Sequence, residues 1–218
     1  MPTDSFIPNK KLRGVRIYVT TVHLDTPLDL NRITSKKRKA EIEKIKNPQV
    51  KAEKFFAWLL LEHAVKSSFD YKLSSLNPRK TADGKWVADR IFFSISHSDG
   101  IIAVAISDKP VGVDIQREVA PRAKNFAEKV LNERELSELR HLSDKDKTGY
   151  LIELWSKKEA LFKLDGVGVF SPKTVDTKSF VSSVLMKEAE KSAVLSVASR
   201  DYTSFELSCD VDLHNFSG

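Results

Sequence analysis

"VGVDIQ", Val111 to Gln116, is the stretch on which the reading of the whole chain turns. Its β-branched residues, bounded by "DKP" before and "REVAP" after, predict a strand. Alternation then puts Val111, Val113 and Ile115 on one face and Gly112, Asp114 and Gln116 on the other. The second face offers open space, a carboxylate and an amide. A glycine inside a strand marks close approach by another group, and a ligand is the expected visitor here. Burying an unpaired carboxylate costs about several kcal/mol unless a cation meets it. Asp114 therefore either faces solvent on a one-sided sheet or has a positive partner elsewhere in the chain.

The first place to look is "LIELWSKKEALFK", Leu151 to Lys163. Leu151, Leu154, Trp155, Leu161 and Phe162 form the apolar stripe of a helix expected over about Lys147 to Leu164. Gly166, in "DGVG", is its natural C-cap. Glu159 lies beside that stripe, and Lys163 follows it by four residues on the same side. An exposed pair at this spacing is worth only a few tenths of a kcal/mol, roughly. Trp155 and Phe162 draw Glu159 inward, so a half-buried carboxylate needs either Lys163 or a metal shared with Asp114.

Just before "VGVDIQ" stand two more β runs, "IFFSIS" and "IIAVAIS". "HSDG" and "DKP" are both short enough for antiparallel hairpins. Along the first run Ser94, Ser96 and Ser98 share one face, and Phe93, Ile95 and His97 the other. His97 closes an apolar row at the turn, where a side chain can meet a ligand. No "GxSxG" elbow accompanies these serines, so a hydrolase triad is not implied.

Toward the N-terminus, "VRIYVTTV" predicts a strand. "ITSKKRKAEIEKIKN" predicts a helix capped by Thr34 or Ser35 and stopped by Pro48. "AEKFFAWLLLEHAVKSSF" carries Phe55, Phe56, Leu59, Leu60, His63 and Ala64 at helical spacing and is the expected central helix, with His63 a hydrogen-bonded core histidine. Leu73 to Arg90 is loop-like, with a turn at "ADGK". "NERE" resembles a capping box headed by Asn132. The tail from Phe180 to Leu213 reads as three strands. Strand, helix and strands thus occur twice, with a join near Ser107–Pro110 and no sequence repeat.

The chain has 218 residues, 41% hydrophobic and 30% charged, with a net charge of +6. That composition supports a folded core and favours an anionic partner. One cysteine, Cys209, excludes an internal disulfide and a cysteine-built metal site. "MPTDSFIPNKKLRG" has no apolar core, and the longest apolar runs are too short to cross a bilayer. A soluble, cytoplasmic protein is expected.

Taken in order, "FFSISHSDG", "VGVDIQ" and "LWSKKEALFK" followed by "DGVG" resemble the signature segments of the 4'-phosphopantetheinyl transferase superfamily. The length resembles its surfactin-synthetase-activating (Sfp-like) branch. The resemblance implies an α+β fold of two similar halves in a pseudo-twofold arrangement, residues 1–107 and 108–218, each a small, mostly antiparallel sheet packed on helices. It implies transfer of the phosphopantetheine arm of coenzyme A to a serine of an apo acyl or peptidyl carrier protein. Adenosine 3',5'-bisphosphate leaves, and Mg²⁺ or Mn²⁺ assists. Asp114 and Glu159 match the metal carboxylates, with Glu159 the base for the incoming serine. Gln116 stands where many relatives have an acid, so it is a weak metal ligand or yields to a water. Lys163 matches the lysine on the phosphate. Lys158 adjoins it, with a role on the phosphates also expected. His97, with Ser96 beside it, matches the histidine that reaches the 3'-phosphate. Gly84 and Lys85 fall on a segment lining the nucleotide, where Trp86 replaces the usual proline, and Lys54 matches a basic residue near the same phosphates.

The implied partners are coenzyme A and an acidic carrier steered by surface lysines, with Lys36–Lys46 or Arg117–Lys129 as candidate faces. A monomer is expected, because two halves supply one site. The rival classes are a basic nucleic-acid-binding module and an inactive relative that only binds carriers. The first leaves Asp114 and Glu159 unexplained, since both repel phosphates without a metal, and it lacks the aromatic-rich basic strand of common RNA binders.

Overall fold

The computed structural model describes residues 13–23, 26–82, 84–119, 125–166, 169–177, 181–188 and 191–213. Parts of the expected "ADGK" turn, the "DGVG" segment, the Arg117–Lys129 face and the start of the tail lie outside them.

The element order is β1 (Val15–Thr21), α1 (Lys36–Glu43), α2 (Pro48–Phe69), β2 (Arg79–Lys80), β3 (Trp86–Val87), β4 (Phe92–Ser98) and β5 (Ile101–Ser107), followed by β6 (Gly112–Arg117), α3 (Phe126–Val130), α4 (Glu133–His141), α5 (Asp144–Asp165), β7 (Val181–Glu188), β8 (Lys191–Ala198) and β9 (Phe205–Ser208). Local chemistry explains the helix ends. Ser35 caps α1 through the Arg38 N–H, whereas Thr34 is spent on Glu62. Contrary to the sequence expectation, Pro48 does not stop α1, which ends at Glu43. It opens α2, where its missing N–H costs nothing and Asn47 caps. Asn132 and Glu135 form the expected capping box on α4. Gly166 ends α5 in the left-handed region at φ 69°.

Two sheets form the centre. The first runs β4-β5-β1-β9 and the second β6-β8-β7. The motif β1–α2–β4–β5 recurs as β6–α5–β7–β8. In each, the last strand lies between the other two and pairs antiparallel with both, and each helix has 22 residues. The α+β architecture of small antiparallel sheets on helices is therefore as expected. β9 departs from the repetition by returning to pair parallel with β1.

The layers run α2, first sheet, second sheet, α5. β5 is buried along its whole length. Its Ile102, Val104 and Ile106 face the core around α2, and its Ile101, Ala103 and Ala105 face Val113, Ile115, Leu195 and Val197 of the second sheet. A strand buried on both sides reads as a continuous apolar run, which is the "IIAVAI" pattern. α2 is apolar nearly all round because it is enclosed, with Phe55, Trp58, Leu59, Leu60 and Leu61 at 0% exposure. His63 is half-buried against the Tyr18 ring and meets Ser67 at 3.2 Å.

Two expectations fail at β6. "DKP" does not make a hairpin: β4 and β5 form the two-residue hairpin at Asp99–Gly100, where both φ angles are positive, and β6 begins the second sheet by pairing with β8. The serine row of β4 covers the other edge of β6. Ser94 and Ser98 accept from the Val113 and Arg117 N–H groups at 3.0 and 3.1 Å. Those bonds blunt an edge that would otherwise carry free donors.

Gly112 is also not clearance for a ligand. A Cβ there would stand 1.9 Å from the Ala160 carbonyl oxygen and 2.6 Å from the Leu164 nitrogen. The glycine lets α5 lie directly on β6. Gly112→Ala is expected to force the two apart and cost about 1–3 kcal/mol or more, read by urea unfolding. Unchanged stability would contradict that contact.

Candidate active site

The close approach at Gly112 determines what meets Asp114. The next residue on that face of β6 is Asp114, 1% exposed, and the side of α5 above it carries Lys163. Lys163 Nζ donates to Asp114 Oδ1 at 2.6 Å and to Ser96 Oγ at 3.0 Å. Ser96 in turn donates to Oδ1 at 2.8 Å, and the Gln116 amide donates to Oδ2 at 3.0 Å. Three donors thus compensate the buried charge. Lys163 pairs with Asp114, and not with Glu159 as the i,i+4 spacing invited. Among the described residues Glu159 has neither a hydrogen bond nor an ion pair. Its carboxyl is pushed above the ordinary range by burial and then by the Asp114 charge, with Lys163 acting the other way.

These groups line a cleft with a volume of about 660 Å³. Its walls also carry Arg38, Lys54, Lys80, Gly84, Lys85, Trp86 and His97. Arg38 is 7% exposed, donates to the Lys54 carbonyl at 3.0 Å, and lies over the Trp58 and Trp86 rings at 5.3 and 5.9 Å. Lys80 meets Glu41 at 3.1 Å and also sits near the Trp86 ring. Lys85 Nζ donates to the Lys163 carbonyl at 2.7 Å, near the C-terminus of α5, where a cation is favoured. Lys54 has no ion pair among the described residues. Its ammonium is held below the ordinary lysine value by burial and then by Arg38. Burial likewise lowers Arg38, Lys85 and His97. The Arg38 Nε and Trp86 Nε1 are buried without a partner among the described residues. Cations that depress one another, beside orphaned donors, define a site for a multiply charged anion.

Lys158 does not reach the phosphate-binding side expected of it. It is 0% exposed and lies outside this cleft. Its ammonium meets Glu135 at 2.6 Å, the Val130 carbonyl at 3.0 Å and the Pro172 carbonyl at 2.9 Å. Adjacent positions on a helix are about 100° apart, so Glu159 and Lys163 can face the cleft while Lys158 faces α4. Conversely, Arg38, Lys80 and Trp86 line the cleft although sequence reasoning gave them no binding role. Arg38 lies inside the Lys36–Lys46 run, which the sequence offered only as a face for the carrier. Its position four residues before buried Ile42 was the available signal.

Among the described residues no three His, Cys, Asp or Glu side chains come together as a metal cage. Two carboxylates facing an anion cleft do suit a hard divalent ion that takes its remaining oxygens from substrate phosphates and water.

Comparison with known proteins finds similarity to one family. Residues 110–204, under half of the chain, match the family model of the 4'-phosphopantetheinyl transferase superfamily, a range that holds the "VGVDIQ" and "LWSKKEALFK" segments but not "FFSISHSDG". The chain is 32% identical over 135 residues to 4'-phosphopantetheinyl transferase gsp of Aneurinibacillus migulanus, covering 60% of this chain and 56% of that protein. It is 30% identical over 114 residues to psf-1 of Bacillus pumilus, covering 51% and 48%. It is 32% identical over 80 residues to Sfp of Bacillus subtilis strain 168, covering 37% and 35%. These matches support the Sfp-like type, and they span about half or less of the length of each relative. Among the described residues no helix is long and apolar enough to cross a membrane.

Proposed function

We propose that the protein transfers the 4'-phosphopantetheine arm of coenzyme A to a serine of an apo acyl or peptidyl carrier protein and releases adenosine 3',5'-bisphosphate. The observation that carries this reading is the cleft itself: cations and orphaned donors line it together with the acids Asp114 and Glu159. A site for anionic ligands alone has no use for two acids, one of them without a cation of its own. The names of the relatives point the same way.

In this reading His97, Lys54, Arg38, Lys80 and Lys85 hold the phosphates of coenzyme A. Ser96 and Gln116 orient the Asp114 carboxylate. Glu159 takes the proton from the carrier serine, for which a raised proton affinity is an advantage. Lys163 stabilises the charge that develops on the leaving phosphate. Mg²⁺ or Mn²⁺, held by Asp114 and Glu159, would neutralise the pyrophosphate. Lys36, Lys37, Lys44 and Lys46, all exposed on or beside α1, form a face that would steer an acidic carrier.

Calorimetric titration with coenzyme A tests the binding half of this reading. Micromolar affinity that weakens as salt rises is expected from such a cleft. Absence of binding at millimolar coenzyme A would refute it.

A further inference from the structure

Glu53 is a buried acid that the proposed chemistry does not use. It is 5% exposed on α2, one residue before Lys54. Its Oε1 accepts from the Gly100 N–H at 3.1 Å, in the turn that joins β4 to β5. Its Oε2 lies 3.1 Å from His97 Nδ1. A carboxylate accepts and cannot donate, so a hydrogen bond at that distance requires the proton on Nδ1. That leaves Nε2 as the ring nitrogen open to the cleft, which His97 lines with its side chain 24% exposed.

We infer that Glu53 is a positioning residue that fixes His97 with its proton on Nδ1 and presents Nε2 to a bound phosphate. The inference rests on the proposed binding of coenzyme A and adds a proton to it. Neutral Nε2 carries a lone pair, which repels a phosphate oxygen. Binding therefore requires Nε2 to take one proton from solvent, and the resulting imidazolium lies between the phosphate and the Glu53 carboxylate. The same arrangement orients metal-bound and catalytic histidines, where the partner of one ring nitrogen sets what the other can do.

The charges that face His97 agree. In the free protein burial lowers its proton affinity first. Lys54 on α2, Lys163 on α5 and Arg38 on α1 also lower it, and Glu53 alone raises it. The ring is thus neutral near pH 7 without ligand. A phosphate offsets the three cations and lets it charge. Because the charged form is the one that binds, affinity for coenzyme A should strengthen as pH falls from neutral toward the depressed pKa of the free ring, and weaken on the alkaline side.

Glu53→Gln separates this role from a structural one. Its amide oxygen can still accept from Gly100, but its NH₂ would donate to Nδ1 and drive the proton to Nε2. Nitrogen chemical shifts of ¹⁵N-labelled histidine in the full chain at neutral pH should report an Nδ1–H tautomer for His97 in the unsubstituted protein and Nε2–H in the variant. Calorimetry with coenzyme A in buffers of different ionisation enthalpy should show proton uptake on binding by the unsubstituted protein and little or none by the variant, whose Nε2 already carries its proton. An Nε2–H tautomer in the unsubstituted protein would overturn the inference without recourse to any variant. So would a variant that takes up as many protons on binding coenzyme A as the unsubstituted protein does. Failure of the unsubstituted protein to bind coenzyme A would instead refute the proposed function, and the tautomer would still test Glu53.

Discussion

Glu159→Gln should lower the rate of arm transfer by about 10²–10⁴-fold, the loss typical when a general base is removed, while raising the melting temperature of the free protein. The two effects have one cause. Burial and the Asp114 charge push the Glu159 carboxyl above the ordinary value of 4.5. A carboxyl raised in the folded state destabilises the fold once it ionises. That cost begins above the unfolded value, grows through the folded one and is full at higher pH, including neutral pH if the folded value lies below it. The neutral amide removes it. Asp114→Ala should also abolish transfer, but with the opposite effect on stability. It strips the acceptor from Lys163, Ser96 and Gln116 and should cost about 1–3 kcal/mol. Activity lost in both variants, with melting temperatures moving in opposite directions, is the expected pattern. Near-normal transfer by either variant would refute the roles given to the pair.

Lys158→Met should destabilise the protein by about 3–5 kcal/mol, because it leaves the Glu135 charge buried and unpaired. Glu135 is 1% exposed and also accepts from the Asn132 N–H in the capping box of α4. Lys158 reaches the end of α3 at Val130 and the turn after α5 at Pro172. The loss should therefore loosen the whole packing of residues 125–142 against α5. At about 2–4 °C per kcal/mol for a chain of this size, the melting temperature should fall by roughly 10 °C. Adding Glu135→Gln should recover part of the loss by removing the stranded charge. A fall of less than about 1 kcal/mol in the single variant would contradict the buried pair.

Much of this was legible in the sequence because the pattern and the environment agree. Alternation in "VGVDIQ" put Asp114 and Gln116 on one face. Helical spacing in "LWSKKEALFK" put Glu159 and Lys163 on one side, and the apolar run around Trp58 announced a central helix. What was not legible depended on distant partners. Gly112 was open to a ligand reading until Ala160 and Leu164 occupied the space beside it. "DKP" had hairpin length, yet β8, about 80 positions further on, is the strand that pairs with β6. Lys158 has the same charge as Lys163 and stands in the same motif. Only the burial of Glu135 distinguishes a structural lysine from one in the cleft. Arg38 was hidden in a run of like charges, although its spacing to Ile42 pointed inward.

The central claim is that this cleft transfers the arm of coenzyme A to a carrier serine. The most direct measurement is the intact mass of an apo-carrier protein after incubation with this protein, coenzyme A and Mg²⁺. The account predicts a mass increase of one phosphopantetheine on the carrier serine, absent with Glu159→Gln. No mass change on any of several fatty-acid, polyketide and peptide apo-carriers, under conditions where coenzyme A binds, would contradict it.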